Sequence, residues 1–143
     1  MKFSARSQYA LEAMLALTSA QGGSPIQVRN ISREHGIPVR FLEQIMAALK
    51  KAGLVKSIRG ARGGYLLGHE PATIQVAQIL HAVEGPIREE VTVGAQPAAT
   101  QVVQALWGDA QDAVRTLFEG ISLDELAKRK EHLEGARSLM YHI

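Results

Sequence analysis

The sequence predicts a mainly α-helical fold with a single small β-hairpin. Apolar residues recur at helical spacing over most of the 143 residues, glycine or proline separates these runs, and only the stretch around residues 54–67 alternates as strands do. A chain of this length builds one small domain with a helical extension. An apolar fraction of 46% supplies a core that depends on aliphatic side chains, because aromatic residues make up only 5%.

Capping and helix-breaking residues mark the helix boundaries. Ser4 can cap the first turn of a helix, Gly36 can end one, and Pro38 suits the first turn of the next. The predicted helices span residues 5–21, 27–35, 38–52, 74–83, 98–119 and 122–130. The second and third of these, separated by a tight turn, have the spacing of a helix-turn-helix.

The second helix of this pair is predicted to have two distinct faces. Its apolar face consists of Leu42, Ile45, Met46 and Leu49. Its outward face consists of Arg40, Glu43, Gln44, Ala47 and Lys51. The polar side chains of this face carry the groups that read base edges and phosphates in a major groove, although an ordinary solvated helix face uses the same residue types.

A predicted hairpin directly follows this helix and has the position of a wing. The strands are residues 54–58 and 65–67, and the glycine-rich turn between them carries Arg59 and Arg62. A slim cationic loop can enter a narrow minor groove, where the negative potential attracts arginine. A plain hairpin turn would explain the glycines but not the two arginines.

Charge is distributed unevenly along the chain. Residues 1–68 contain ten basic and three acidic residues, a net charge of +7, whereas residues 69–143 have a net charge of −5. This asymmetry predicts a nucleic acid at one end and a different partner at the other. We therefore expect residues 1–85 to form a winged helix-turn-helix DNA-binding domain.

The long helix predicted over 98–119 is expected to form a dimer interface. Its apolar positions follow the alternating three-and-four spacing of a seam between two helices. The expected interface residues are Val103, Leu106, Trp107, Ala110, Val114, Leu117 and Phe118, with Val102 and Ala113 beside them. Folding of this helix back onto its own domain is the alternative. Residues 86–97 are expected to form a loop, and 98–143 the dimerisation helix and a C-terminal helix.

Several stretches resemble the Rrf2 family of bacterial winged-helix transcriptional regulators. They are MKFSARSQYALEAMLAL at the start of the chain, FLEQIMAALKKAGLVKSIRGARGGYLLG at 41–68, and ALWGDA and ISLDEL near the C-terminus. The resemblance implies a homodimer, intertwined through the long helix, that acts as a repressor on a near-palindromic operator. It implies that Glu43 and Gln44 act on the recognition helix and that Arg59 contacts the minor groove. It also implies that the amino-terminal region lies near the phosphate backbone.

The resemblance and the charge pattern together give the complete set of expected DNA-contacting residues. It consists of Ser4, Arg6, Tyr9, Pro38, Arg40, Glu43, Gln44, Lys50, Lys51, Arg59 and Arg62. Members of the family that bind an iron–sulfur cluster carry three cysteines before the dimer helix, whereas this chain contains no cysteine. The chain is therefore expected to hold no thiolate-bound cluster or other cofactor, and to resemble the cysteine-free members that control cysteine metabolism, with a metabolic enzyme or a small effector as a further partner.

Other functions remain as alternatives at this stage. A winged-helix module for protein–protein interaction would share the fold, and a small-molecule sensor would use the loop at 87–98 and the dimer helix as pocket walls. An enzyme is not expected, because no nucleophile motif occurs and the five histidines lack metal-ligand spacing. The absence of a signal peptide or a long apolar run predicts a cytoplasmic protein without a membrane partner.

Overall fold

The computed structural model describes residues 3–20, 23–86 and 94–141. Its elements in chain order are α1 (Ala5–Thr18), α2 (Val28–His35), α3 (Val39–Lys51), β1 (Val55–Ile58), β2 (Gly64–Leu67), a 3₁₀ turn (Pro71–Thr73), α4 (Val76–Glu84), α5 (Ala98–Glu119) and α6 (Leu123–Tyr141). This is the predicted fold class, a mainly helical winged helix-turn-helix followed by a long helix. Within the described residues, no helix is long and apolar enough to cross a membrane.

The turn between α2 and α3 depends on one glycine and one buried isoleucine. Gly36 has φ +65°, a left-handed conformation that glycine adopts without steric cost, and it ends α2 as predicted. Ile37 then enters the core, and its backbone N–H donates to the Ser32 carbonyl at 3.2 Å. Pro38 occupies the capping position of α3 instead of its first turn, so the helix begins one residue later than predicted.

The wing is a two-stranded antiparallel sheet in which Val55 pairs with Leu67 and Ile58 pairs with Gly64. A third segment joins it through an isolated bridge between Ile26 and Tyr65, whose two backbone hydrogen bonds measure 3.0 and 2.8 Å. The hairpin is therefore tied to the chain just before α2 and does not project as a free loop.

One core connects the amino-terminal half to the C-terminal helices. Met14 of α1, Leu42 of α3 and Ile79 of α4 are fully buried, and Leu123 at the start of α6 lies in the same cluster. The turn between α5 and α6 is joined to the start of α4, because Val76 donates to the Ile121 carbonyl at 2.9 Å and Leu123 donates to the Ile74 carbonyl at 2.8 Å. The C-terminal helices thus have a fixed attachment to the winged unit.

Two predicted helix ends are wrong by three residues or more, and α4 begins at Val76 instead of Ile74. Helix α1 ends at Thr18, not Gln21, because Ser19 already takes the C-cap position. Helix α6 was expected to end near Lys130 and instead continues to Tyr141. Residues 131–141 are exposed throughout, and the apolar residues among them, such as Leu133 and Leu139, do not form a buried stripe. The predicted loop at 86–97 lies partly outside the described residues; the structure shows Pro86 and 94–97 as non-helical and begins α5 at Ala98, as expected.

Candidate nucleic-acid interface

Helix α3 has the two faces that the sequence predicts. Leu42, Ile45, Met46 and Leu49 are completely buried in the core. The exposed residues of the helix are Val39, Arg40, Glu43, Gln44, Ala47, Lys50 and Lys51, with Pro38 exposed just before them. We call this set of α3 residues the recognition face. Because the buried stripe holds the helix against the core, the recognition face has a fixed orientation relative to the rest of the domain.

The wing tip is held close to the start of α2 by backbone contacts that require glycine. A Cβ atom at Gly64 would lie 2.5 Å from the Ile26 carbonyl oxygen, and one at Gly63 would lie 2.1 Å from the Ile58 carbonyl oxygen. The Gln27 side-chain amide also donates to the Ala61 carbonyl at 3.5 Å. These contacts leave Arg59 and Arg62 exposed at the tip of a hairpin whose base is fixed.

The basic groups of the recognition face and wing have no acidic partner among the residues that the structure describes. Within the described ranges, Arg40, Lys50, Lys51, Arg59 and Arg62 form no ion pair, whereas basic residues of α5 and α6 do. Arg115 lies 3.5 Å from Asp112 and 3.7 Å from Glu119, and Lys128 lies 2.9 Å from Asp124. The positive charge of these five residues is therefore available to an external anion, whereas Arg115, Lys128 and Lys130 of the C-terminal half lie next to carboxylates.

The amino-terminal candidates have partners within the chain. Ser4 caps α1 by accepting from the Ser7 N–H at 3.1 Å, as predicted, and both serine hydroxyls donate to the Glu84 carboxylate at the end of α4. The Arg6 Nε donates to the Val83 carbonyl at 2.8 Å, and the Tyr9 ring packs edge-on against Phe41, with ring centres 5.6 Å apart. All three candidate residues are half-buried.

The candidate dimer residues on α5 are mostly exposed in the single chain. Leu106, Trp107 and Leu117 are 59, 61 and 57% exposed, and Val103 and Ala110 are exposed beside them. Val114 and Phe118 are half-buried, and the Phe118 ring packs edge-on against Phe3 of the same chain at 6.3 Å between ring centres. The chain itself thus covers only the edge of this apolar surface.

Two features of this region were not found by sequence reasoning. The cluster of Ser4, Ser7 and Glu84 joins residues 80 positions apart, and no local pattern indicates such a contact. Val39 was also missed because its spacing to Leu42 and Met46 is that of a core residue, yet it is exposed. The feature that could have indicated its exposure is its position as the first residue of the helix, before the first residue of the buried stripe.

Comparison with known proteins identifies the family. Residues 3–129 match the Rrf2 family, described as iron-dependent transcriptional regulators. The chain is 38% identical to the transcriptional regulator CymR of Bacillus subtilis, over 89% of this chain and 90% of that protein. It is also 38% identical to the transcriptional regulator IscR of Xenorhabdus nematophila, over 95% of this chain and 85% of that protein.

Solved structures show the same similarity. The structure of CymR, the global cysteine regulator of B. subtilis, has a TM-score of 0.78 and 35% identity, covering 90% of this chain and 98% of that one. The structure of T. potens IscR also has a TM-score of 0.78, with 31% identity, covering 93% of this chain and 90% of that one.

The residues of this chain do not fit a cysteine-ligated iron–sulfur cluster. The sequence contains no cysteine, and the described part of the chain contains no group of three or more histidine or acidic residues arranged to hold a metal ion. This departure concerns metal chemistry and leaves the match in sequence and fold intact. The chain belongs to the Rrf2 family of transcriptional regulators, with the winged helix-turn-helix fold of its DNA-binding members.

Proposed function

We propose that the chain is a sequence-specific DNA-binding repressor that places α3 in the major groove and the wing arginines in the minor groove. The observation that carries the proposal is the exposed set of basic and amide side chains on the recognition face, beside the cationic wing tip, whose basic groups form no ion pair within the described part of the chain. Base edges in the major groove are read by such side chains, and the narrow minor groove attracts arginine. Lys50, Lys51 and the amino-terminal residues Ser4, Arg6 and Tyr9 would contact or support contacts to the phosphate backbone.

We also propose that two chains associate through α5 on a near-palindromic operator. An exposed apolar surface that contains Trp107 and Leu106 is costly in water, and a second copy of the same helix would bury it. In this arrangement residues 1–85 are the DNA-binding domain, 86–97 a connection, and 98–143 the dimerisation region. A two-fold dimer would present one recognition helix to each half-site.

Selection of bound sequences from a random pool of double-stranded DNA tests this function. We expect recovery of a motif with two inverted half-sites separated by a multiple of one helical turn. The same pool selected with Gln44→Ala should yield a motif altered at particular positions, because a base-reading side chain has been removed. Recovery of no motif with the wild-type chain at low salt would contradict the proposal.

Control of sulfur or cysteine metabolism is the pathway we propose for the regulator. Its support is the similarity to the global cysteine regulator CymR of B. subtilis, combined with the absence of cysteine in this chain. The test is to locate the selected motif in the genome of the source bacterium. Sites upstream of genes for sulfur assimilation support the pathway, and sites confined to unrelated genes contradict it without affecting the proposal of DNA binding.

A second candidate function is direct sensing of a small molecule. A cavity of about 480 Å³ lies between the winged unit and α5; it is lined by Ala52, Leu54, Gln75, Ala77, Gln78, His81, Pro86, Arg115 and Glu119. A ligand there would contact both the DNA-binding unit and the proposed dimer helix, and so could change the spacing of the two recognition helices. Thermal unfolding with a panel of metabolites tests this function. A ligand of the cavity should raise the melting temperature of the wild type but not that of Gln78→Trp, whose larger side chain would fill the cavity.

A winged-helix module for protein–protein interaction remains the contrasting alternative. The unpaired basic side chains on the recognition face and wing argue against it, because a protein interface tends to exclude isolated charges from its centre. The dependence of DNA affinity on salt separates the two functions, since only a DNA-binding protein releases many counterions on binding.

A further inference from the structure

The recognition face contains one exposed branched aliphatic side chain, and its chemistry differs from that of its neighbours. Val39 is the first residue of α3 and is 42% exposed, while Arg40, Glu43 and Gln44 on the following turn are polar. We propose that Val39 selects thymine in each half-site by packing against the C5 methyl group of the base. The proposal rests on the proposed function, because it assigns a specificity role within the same DNA interface.

The core does not account for the position of Val39. Its spacing to Leu42 and Met46 would allow it to extend the buried stripe, and both of those side chains are fully buried. Ile37, which is 1% exposed, already occupies the core directly before α3. Val39 is therefore left at the border of the exposed face, one helical turn before Glu43. The only other apolar residue of the recognition face is Ala47, which lies two turns further along and reaches less far.

The position of Val39 along the helix favours contact with bases. In helix-turn-helix proteins the amino-terminal residues of the second helix approach the base edges, whereas later residues lie further from them. Val39 begins that helix, and Gly36 with its left-handed backbone turns the chain sharply just before it. An aliphatic side chain in this place comes close to the floor of the groove when Glu43 and Gln44 are within hydrogen-bonding distance of it.

The chemistry of the valine side chain selects one base. In the major groove only thymine presents a methyl group, and apolar side chains recognise it by van der Waals contact and exclusion of water. Cytosine carries only a hydrogen in place of this methyl group and an amino donor on the neighbouring C4 atom, which the valine would remove from water without accepting its hydrogen bond. Guanine and adenine also present polar groups, which the valine would remove from water without offering them a hydrogen-bond partner. Val39 thus adds a thymine preference that none of the polar residues of the recognition face provides.

The experiment replaces each thymine of the selected operator, one at a time, by deoxyuridine, which lacks only the C5 methyl group. With the wild-type chain we expect one thymine per half-site at which this replacement weakens binding about fourfold, the ratio that corresponds to losing burial of one methyl group. With Val39→Ala we expect the same replacement to have no effect, because the side chain no longer reaches the methyl group. Val39→Ala should fold normally, since the valine is partly exposed, and matching thermal unfolding curves check this.

Ile58→Ala is the matched control, because Ile58 is a branched aliphatic residue of similar exposure, 40%, that lies on β1. This variant should retain the sensitivity to deoxyuridine at the thymine assigned to Val39. The proposal is overturned if the wild-type chain is insensitive at every thymine, or if Val39→Ala keeps the full sensitivity. If no operator can be selected at all, the proposed function fails first, and this outcome is distinct from tight operator binding without a methyl effect.

Discussion

Arg59 differs from the other basic residues because it lies where a strand becomes a turn. It follows Ile58, the last residue of β1, and the turn itself is closed by a hydrogen bond from the Gly63 N–H to the Gly60 carbonyl at 3.0 Å. A fixed strand end gives the guanidinium a defined starting point, so less backbone conformational entropy is lost when the side chain enters a minor groove. Arg62, within the turn, has less support from its surroundings.

We predict that Arg59→Ala weakens binding to the selected operator by about 1–3 kcal/mol, because a minor-groove arginine contributes both charge and shape-dependent contact. Fluorescence anisotropy with labelled operator measures the effect. Arg129→Ala is the control, because it removes one exposed positive charge from α6 and leaves the wing intact. Equal effects of the two substitutions would mean that Arg59 contributes to binding only through its positive charge and not through a specific minor-groove contact.

Glu43 and Gln44 are predicted to affect which sequence is bound more than how tightly DNA in general is bound. Both are exposed on the recognition face, and glutamine and glutamate pair with particular base edges. Alanine at either position should lower affinity for the best operator by about 1–3 kcal/mol while leaving binding to random DNA nearly unchanged. Competition assays with both DNA types measure the ratio; a uniform loss would mean that these residues only position the helix.

At the residue scale, the sequence predicts best where the periodicity is strong. The four buried residues of α3 were all identified, because a stripe at i, i+3, i+4 and i+7 has one reasonable interpretation. The hydrogen bonds of Ser4 and Arg6 to α4 could not be predicted, because they depend on how two helices meet in space. Val39 lies between these cases, since a border position is compatible with both burial and exposure.

Among the elements, the wing depends most strongly on backbone geometry. Gly64 pairs with Ile58 across the hairpin, and its Cα faces the Ile26 carbonyl so closely that a side chain cannot be accommodated. Glycine-rich turns are recognisable in a sequence, but the reason for this glycine is a third segment that approaches the sheet. The bridge between Ile26 and Tyr65 therefore explains a glycine that the hairpin alone would not require.

We predict that Gly64→Ala destabilises the fold by about 1–3 kcal/mol, because the Cβ atom would displace the Ile26 segment and break its bridge to Tyr65. Chemical denaturation measures the loss, and faster hydrogen exchange at the Tyr65 amide locates it. Gly94→Ala is the control, because a Cβ atom there would meet no atom within 4 Å. An unchanged unfolding free energy for Gly64→Ala would contradict the proposed closeness of the two segments.

Helix α6 shows where prediction from sequence fails at the scale of elements. Ser122 caps its start, accepting from the Glu125 N–H at 3.1 Å, and this end was predicted from the spacing of the two residues. Its second half has no buried residue, and the described contacts along it include an ion pair of Lys130 and Glu134 at 3.2 Å. Without an apolar stripe, the sequence has no signal for where such a helix ends.

For the whole molecule, association of two chains is the step that would turn a single winged domain into a reader of inverted repeats. The apolar surface of α5 combines exposure with a regular seam, whereas the exposed leucines of α6 stand among charged residues. The sequence predicted the extent of α5 to the residue, because apolar residues recur along its whole length and Gly120 follows it. In the proposed dimer, the surface that covers this helix belongs to a second chain, and the local sequence pattern does not determine it.

We predict that the pair of substitutions Leu106→Asp and Leu117→Asp converts the proposed dimer to monomers, because two buried charges would face the apolar surface of the partner helix. Light scattering measures the mass. Leu133→Asp is the control, since Leu133 on α6 is 57% exposed, as is Leu117, but lies outside the proposed seam. A doubly substituted chain that remains dimeric would place the interface elsewhere.

The salt dependence of affinity for the selected double-stranded operator is the most direct test of the central claim. A dimer that neutralises six or more phosphates should lose affinity by roughly a thousandfold or more between about 50 and 200 mM salt, with a linear relation between log affinity and log salt concentration. Replacing Arg40, Lys50 and Lys51 by alanine should reduce the slope as well as the affinity. A chain that fails to bind double-stranded DNA at 50 mM salt, or whose affinity is independent of salt, would contradict the account.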